Sequence, residues 1–188
     1  MLYTKKGDGG TTKTFGPGKP RISKNSQTAH ALGSLDELNA FLGLVKIRAG
    51  SDGYQSIRVG KNLFLKDIVF QIQQSLFIVQ AELAGAEKTI TEKKVRNMEQ
   101  LIDVIEASMP PIKTFFISGG TELSVLCDIA RTMARRAERE ITGAIDLGEV
   151  TVGVHTQAYV NRLSSLLYAF TRLVNHESGI TEEPPTYV

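Results

Sequence analysis

Residues 121–147 read TELSVLCDIARTMARRAEREITGAIDL, and the spacing of their apolar side chains decides the fold. Leu126, Ala130, Met133, Ala137, Ile141 and Ile145 recur every three or four positions. That is the period of a helix buried along one face. Moving outward, the same period returns on both sides. Downstream, Leu163, Leu167, Phe170 and Val174 mark a helix from about Val152 to Ser178. Upstream, Val95, Met98, Ile102 and Ile105 mark one from about Glu92 to Ser108, closed by Pro110 and Pro111. Phe64, Ile68, Ile72, Leu76 and Leu83 mark another from about Lys61 to Ala86. The first helix carries Leu35, Leu38, Leu42 and Val45 and stops at Gly50. Ser34 and Glu37 have the spacing of a capping box, and Asp36 and Glu37 suit a helix N-terminus.

The rest of the chain is connection. Residues 1–30 are polar and rich in Gly, Lys and Thr, with Pro17 and Pro20, and read as loop with a short strand at most at Leu2–Thr4. Residues 51–61 read as a linker and residues 179–188 as a flexible tail. Five helices and little strand signal make an all-α five-helix bundle, a single domain over residues 1–188.

Composition narrows the function. The formal charge of +2 gives no whole-molecule field for nucleic acid, so an anion site has to be local. The single cysteine, Cys127, excludes a disulfide within the chain and a cysteine cluster for zinc or iron–sulfur. It lies beside the apolar stripe and reads as a buried, inert thiol. His30, His155 and His176 lack metal-ligand spacing, and no Glu-x-x-His pair offers a di-iron site. No apolar run approaches the roughly 20 residues of a membrane span. The opening MLYTKKGDGG lacks the apolar stretch of a signal peptide, so a cytoplasmic setting without membrane or nucleic-acid partners is expected.

Three places could carry chemistry. Thr4-Lys5-Lys6-Gly7-Asp8-Gly9-Gly10-Thr11-Thr12 sets glycine backbone N–H groups among Lys and Thr donors, a composition that suits an anion. It lacks the glycine spacing of a Walker A loop, and a mobile polar terminus would read the same way. On the fourth helix, Arg131, Arg135 and Glu138 fall at i, i+4 and i+7, about 100° round from the apolar stripe. Arginine forks suit phosphate or carboxylate, although a solvated charged face has the same pattern. On the fifth helix, Asn161 and Ser165 are i, i+4 neighbours on a polar face. Asparagine is an indifferent helix former, so a hydrogen-bonding task and a plain surface position both remain open.

Together with GSLDELNAFLG near the start of the first helix, ISGGTELSVLCDIARTMARRAERE and YVNRLSSLLY, the segment YTKKGDGGTT resembles the signature set of PduO-type ATP:cob(I)alamin adenosyltransferases. The matches fall in order between about residues 3 and 176. The resemblance implies a ferritin-like five-helix bundle with an N-terminal nucleotide-binding loop. It also implies a homotrimer with active sites between subunits, ATP and Mg²⁺, and a corrinoid, cobalamin, reduced to the cob(I) state. By position it implies that Thr4, Lys5, Gly7, Asp8, Gly10, Thr11 and Thr12 line the ATP site and that Lys24 touches the phosphates. Arg135, Glu138 and Asn161 match ATP-binding and catalytic positions. Asp36 and Arg131 match a salt bridge between subunits that supports the corrinoid site. Phe115 matches an aromatic that displaces the lower axial ligand of the corrinoid. The chain departs from the pattern at Ser165, where Asp is usual, at Ser118, where Pro is common, and at Asp128, where His is frequent. Its tail is also short, and by the resemblance an aromatic that covers the corrinoid is expected to be missing.

Overall fold

A computed structural model of the chain describes residues 3–15 and 20–187. It contains five helices: α1 (Gln27–Ala49), α2 (Leu65–Leu83), α3 (Glu92–Ala107), α4 (Glu122–Asp146) and α5 (Val154–Glu177). Two small antiparallel hairpins accompany them. β1 (Thr11–Lys13) pairs with β2 (Arg21–Ser23), and β3 (Arg58–Val59) pairs with β4 (Leu63–Phe64).

α4 is the central element. It packs against α1 on one side and α5 on the other, while α2 leans on α1 and α3 on α5. Its buried row is Leu123, Cys127, Ala130, Ala134, Ala137, Ile141 and Ala144. The steps alternate four and three, the seam of coiled-coil-like packing. The row sits slightly round from the stripe read in the sequence. Ala130, Ala137 and Ile141 belong to both, whereas Leu126, Met133 and Ile145 are half-buried at the margin of the core. The difference arises because α4 faces two helices, and alanines let both approach closely.

α1 begins earlier than its sequence suggests, so the expected capping box at Ser34 and Glu37 lies inside the helix. The start is fixed at Ser26, whose Oγ accepts a hydrogen bond from the Ala29 N–H at 3.2 Å. Glu149, in the α4–α5 connection, accepts from the N–H groups of Gln27 at 3.3 Å and Thr28 at 2.8 Å, and from the Thr28 hydroxyl at 2.7 Å. Three otherwise orphaned N–H groups are thereby satisfied. α5 is capped by the same device, with Glu82 accepting from Gly153 N–H at 2.7 Å and from the Thr156 hydroxyl at 2.5 Å. α2 starts at Leu65 rather than Lys61 because the β3–β4 hairpin turns at Gly60, whose φ of 62° favours glycine. The capping box that does form is at α4. Thr121 N–H bonds Ser124 Oγ at 3.0 Å, and Ser124 N–H bonds Thr121 Oγ1 at 3.2 Å.

The termini differ from expectation. No strand forms over Tyr3–Thr4, and Leu2 and Pro17 lie outside the described residues. The tail is tied at Glu182 and Glu183. Glu182 pairs with Arg172 of α5 and accepts from Asn175 Nδ2 at 3.2 Å, and the Glu183 carbonyl accepts from Ile117 N–H at 2.9 Å. Arg172 is 7% exposed, and a guanidinium so buried needs a counter-charge.

Hydrogen bonds from the Thr28 backbone and hydroxyl hold the Glu149 carboxyl below the usual carboxylate range. A depressed folded pKa stabilises the fold above the unfolded value, about 4.3. That contribution is lost as pH falls through the folded value. Glu149→Gln should therefore melt below wild type at pH 7, with the gap closing as pH falls below the unfolded value. A gap that is constant with pH, measured by circular dichroism melts, would show that the cap owes nothing to ionisation.

Candidate active site

Residues 112–119 cross the end of the bundle without regular structure, between α3 and the cap of α4. The crossing ends in a turn that only glycine can make. Gly120 has φ 106°, and a Cβ there would lie 2.2 Å from Asn175 Oδ1. Asn175, buried on α5, donates to the Gly119 carbonyl at 3.2 Å and accepts from Thr121 N–H at 3.4 Å. Beneath the segment, against α4 and α5, lies a cavity of about 740 Å³. Its wall includes Phe115, Asp128, Arg131, Arg135, Ser165 and Tyr168. Phe115 is 77% exposed, so the bundle does not bury it.

Asp128 and Arg131 form a pair one helical turn apart, with Arg131 Nε 2.6 Å from Asp128 Oδ1. Ser118 Oγ donates to Asp128 Oδ2 at 2.5 Å. Burial pushes the Asp128 carboxyl up, but the hydrogen bonds from Arg131 and Ser118 and the arginine charge outweigh it, leaving the pKa below the usual range. Burial pushes the neighbouring Cys127 thiol up to about 12, with the Asp128 charge adding to the effect. The thiol is thus no nucleophile at neutral pH.

Arg135 is exposed and takes no hydrogen bond or ion pair among the described residues. It borders the cavity under Phe115 and also a second one, of about 500 Å³, with Glu138 and Asn161. These two meet directly, Asn161 Nδ2 donating to Glu138 Oε1 at 2.6 Å. Arg162 Nη1 in turn donates to Asn161 Oδ1 at 2.7 Å, and Arg162 Nε lies 3.2 Å from Glu99. A row of polar groups with alternating charge therefore runs from α4 across α5 to α3, fixing the Asn161 amide.

The N-terminal segment forms its own small unit. Arg21 donates to the Thr11 hydroxyl at 2.8 Å and the Thr11 carbonyl at 2.6 Å, and Lys24 N–H bonds the Gly10 carbonyl at 2.9 Å. The Lys24 ammonium lies over Gly7, where a Cβ would approach it to 3.3 Å. Lys5 has φ 58° and Gly10 φ 74°, so the loop curls through left-handed backbone at two points. Thr4, Lys5, Gly7, Asp8, Gly10, Thr11, Thr12 and Lys24 thus gather at one hairpin. Among the described residues, none of them hydrogen-bonds to α4 or α5. Asp36 and Arg131 do not meet within the chain either. Asp36 is exposed on α1, and the ion pairs that tie α1 to α4 among the described residues are Glu37 with Arg136 and Arg48 with Glu122.

The cobalamin adenosyltransferase family model matches residues 2–174. The chain belongs to this family. Among its relatives is the corrinoid adenosyltransferase of Bacillus subtilis, 35% identical over 184 residues, with 95% of this chain and 89% of that protein covered. A second is the corrinoid adenosyltransferase PduO of Citrobacter freundii, 35% identical over 185 residues. That match covers 94% of this chain and 50% of the relative. In solved structures, a variant PduO-type ATP:corrinoid adenosyltransferase from Lactobacillus reuteri, complexed with cobalamin and ATP, superposes with a TM-score of 0.87. It is 29% identical, with 100% of this chain and 97% of that one covered.

Within this family fold, some residues of the cavity wall were not singled out by sequence reading. Tyr168 and Asn175 come from α5 and Glu182 from the tail. A signal for Tyr168 and Asn175 was available, because positions seven apart fall on one face of a helix and both carry polar groups. Glu182 carried none, since only the folded chain shows what Arg172 needs.

Proposed function

We propose that this chain transfers the 5′-deoxyadenosyl group of ATP to the cobalt of a reduced corrinoid, forming adenosylcobalamin and releasing triphosphate. The observation that carries the reading is Arg135, an unpaired guanidinium bordering both cavities. One cavity holds Phe115 and suits a flat macrocycle, and the other holds the Glu138–Asn161 pair and suits a nucleotide. A cationic fork at their border suits the charge of a departing triphosphate.

The chemistry asks the protein for position more than for reactive groups. The cobalt(I) electron pair forms the cobalt–carbon bond, the 5′ C–O bond breaks, and its electron pair departs on triphosphate. The nucleophile belongs to the corrinoid, which agrees with a Cys127 thiol that burial keeps protonated. Mg²⁺ bound with the ATP phosphates would supply further charge neutralisation there. Lys24, Arg135 and the glycine-rich loop stabilise the leaving charge. Asn161, with its amide fixed by Glu138 and Arg162, orients the nucleotide. Phe115 keeps water and nitrogen bases from the lower face of cobalt.

The site is shared between copies in a homotrimer. Two features support this: among the described residues the nucleotide loop has no hydrogen bond to α4 or α5 in its own chain, and Asp36 and Arg131 stand apart. The protein acts in the cytoplasm as one domain. No described helix is long and apolar enough to cross a membrane.

The test is anaerobic incubation with ATP and chemically reduced cobalamin. Loss of cob(I)alamin absorbance with stoichiometric triphosphate release is expected. Binding without that loss would leave a corrinoid carrier and overturn the reading. Light scattering should give about three times the 20.6 kDa chain mass, and a stable monomer would remove the shared site. Arg135→Ala should lower kcat/KM by about 10- to 100-fold, the scale of one lost charge-assisted contact. Unchanged kinetics would make Arg135 a solvated surface residue. Phe115→Ala should leave ATP affinity within about twofold but slow adenosylation of cob(II)alamin supplied with a reductant. If the variant forms as much four-coordinate Co(II) as wild type, the ring has no part in removing the lower ligand.

A further inference from the structure

We propose that Asp128 is a positioning residue whose carboxylate locks Arg131 and the Phe115 segment into one fixed relation at the rim of the larger cavity. The proposal rests on the corrinoid reading above and adds to it a residue that acts through Ser118 and Arg131 rather than on the reacting atoms.

Asp128 sits within α4 and is 8% exposed. A carboxylate so buried is retained only when its oxygens are met. Here the two oxygens are met from different directions. Oδ2 accepts from Ser118 Oγ at 2.5 Å, and Oδ1 accepts from Arg131 Nε at 2.6 Å. The first bond reaches the irregular segment three residues after Phe115, and the second reaches the next turn of the same helix.

The segment has few other holds. Ile117 N–H bonds the tail at Glu183, the Phe116 ring lies 4.7 Å from the Arg172 guanidinium, and Gly119 bonds Asn175 and Ser124. Those ties reach the tail, α5 and the first turn of α4. Ser118 alone among the named tethers joins the segment to the turn that carries Arg131. Arg131 is itself oriented by the bond at Nε, with its guanidinium carbon 5.9 Å from the Tyr168 ring. Its terminal nitrogens take no partner among the described residues, so they remain free for a ligand or for Asp36 of a second copy.

Two departures from the family resemblance thus explain each other. A proline at 118 would have no side-chain donor, and a histidine at 128 could not offer two acceptor oxygens to Ser118 and Arg131. In this chain the serine and the aspartate form one unit. If the unit fixes Phe115 against the lower face of the corrinoid, loosening it should impair removal of the lower ligand and leave the later chemistry nearly intact.

The test uses the full-length protein, with Asp128→Asn, Ser118→Ala and the double variant. The four-coordinate fraction of cob(II)alamin is read by electron paramagnetic resonance with ATP bound. Adenosylation is measured from cob(II)alamin with a reductant and from pre-reduced cob(I)alamin, alongside ATP affinity and melting temperature. Each single variant should lose four-coordinate species. Each should slow by about tenfold from cob(II)alamin, the scale of one charge-assisted hydrogen bond, and much less from cob(I)alamin. The double variant should be no worse than the worse single one, because both remove the same bond. An unchanged four-coordinate fraction in the folded variants, or additive losses, would overturn the proposal. Should Asp128→Asn fail to fold, Ser118→Ala decides by the same readings. A wild-type protein that adenosylates nothing would sink the corrinoid reading itself, an outcome visible before any variant is compared.

Discussion

The structure depends on how closely α4 can be gripped from two sides. Ala130, Ala134 and Ala137 are fully buried, and their small side chains let α1 and α5 close on the same helix. Larger residues there would force the neighbours apart at a cost of about 1–3 kcal/mol each. With two sectors of α4 occupied, its long polar side chains leave by what remains. Arg136 turns to Glu37 on α1, Glu138 meets Asn161 on α5, and Arg131 and Arg135 face the cavity at the end of the bundle. The placement of charge in the candidate site is therefore set by the packing of methyl groups behind it.

What the bundle does not provide is supplied by buried polar contacts. The 112–120 segment has no ladder of its own and no apolar anchor in the core. Asn175 holds its glycine turn, Asp128 holds Ser118, and Arg172 with Glu182 brings in the tail. Such contacts are directional and costly to leave half-made. They define one arrangement of a loop that hydrophobic burial alone would leave loose. An exposed aromatic on that loop is then a fixed surface of the cavity.

The helices were legible because their signal is local. Val95, Met98 and Ile105 announce α3 by spacing alone, and all three are buried. The start of α1 was hidden because Gln27 and Thr28 are capped by Glu149, more than a hundred residues away, while Ser34 and Glu37 imitate a cap inside the helix. The candidate site was legible where the family motifs reach. Arg131, Arg135 and Phe115 border one cavity, and Arg135, Glu138 and Asn161 border another. The pairing of Asp128 with Ser118 and of Arg172 with Glu182 was not, since Ser118 and Asp128 show in the sequence only as separate departures, and each pairing exists only across a tertiary contact.

The two borrowed caps, Glu149 on α1 and Glu82 on α5, carry a consequence for how the molecule opens. Helix ends usually fray independently, each at small cost. Here the first turn of α1 cannot loosen without releasing the connection between α4 and α5. Likewise, the first turn of α5 cannot loosen without freeing Glu82 near the end of α2. Ends that lie far apart along the chain therefore share their fluctuations. Amide exchange in these turns should follow the cooperative unit they belong to, so the bundle around the site breathes as one body.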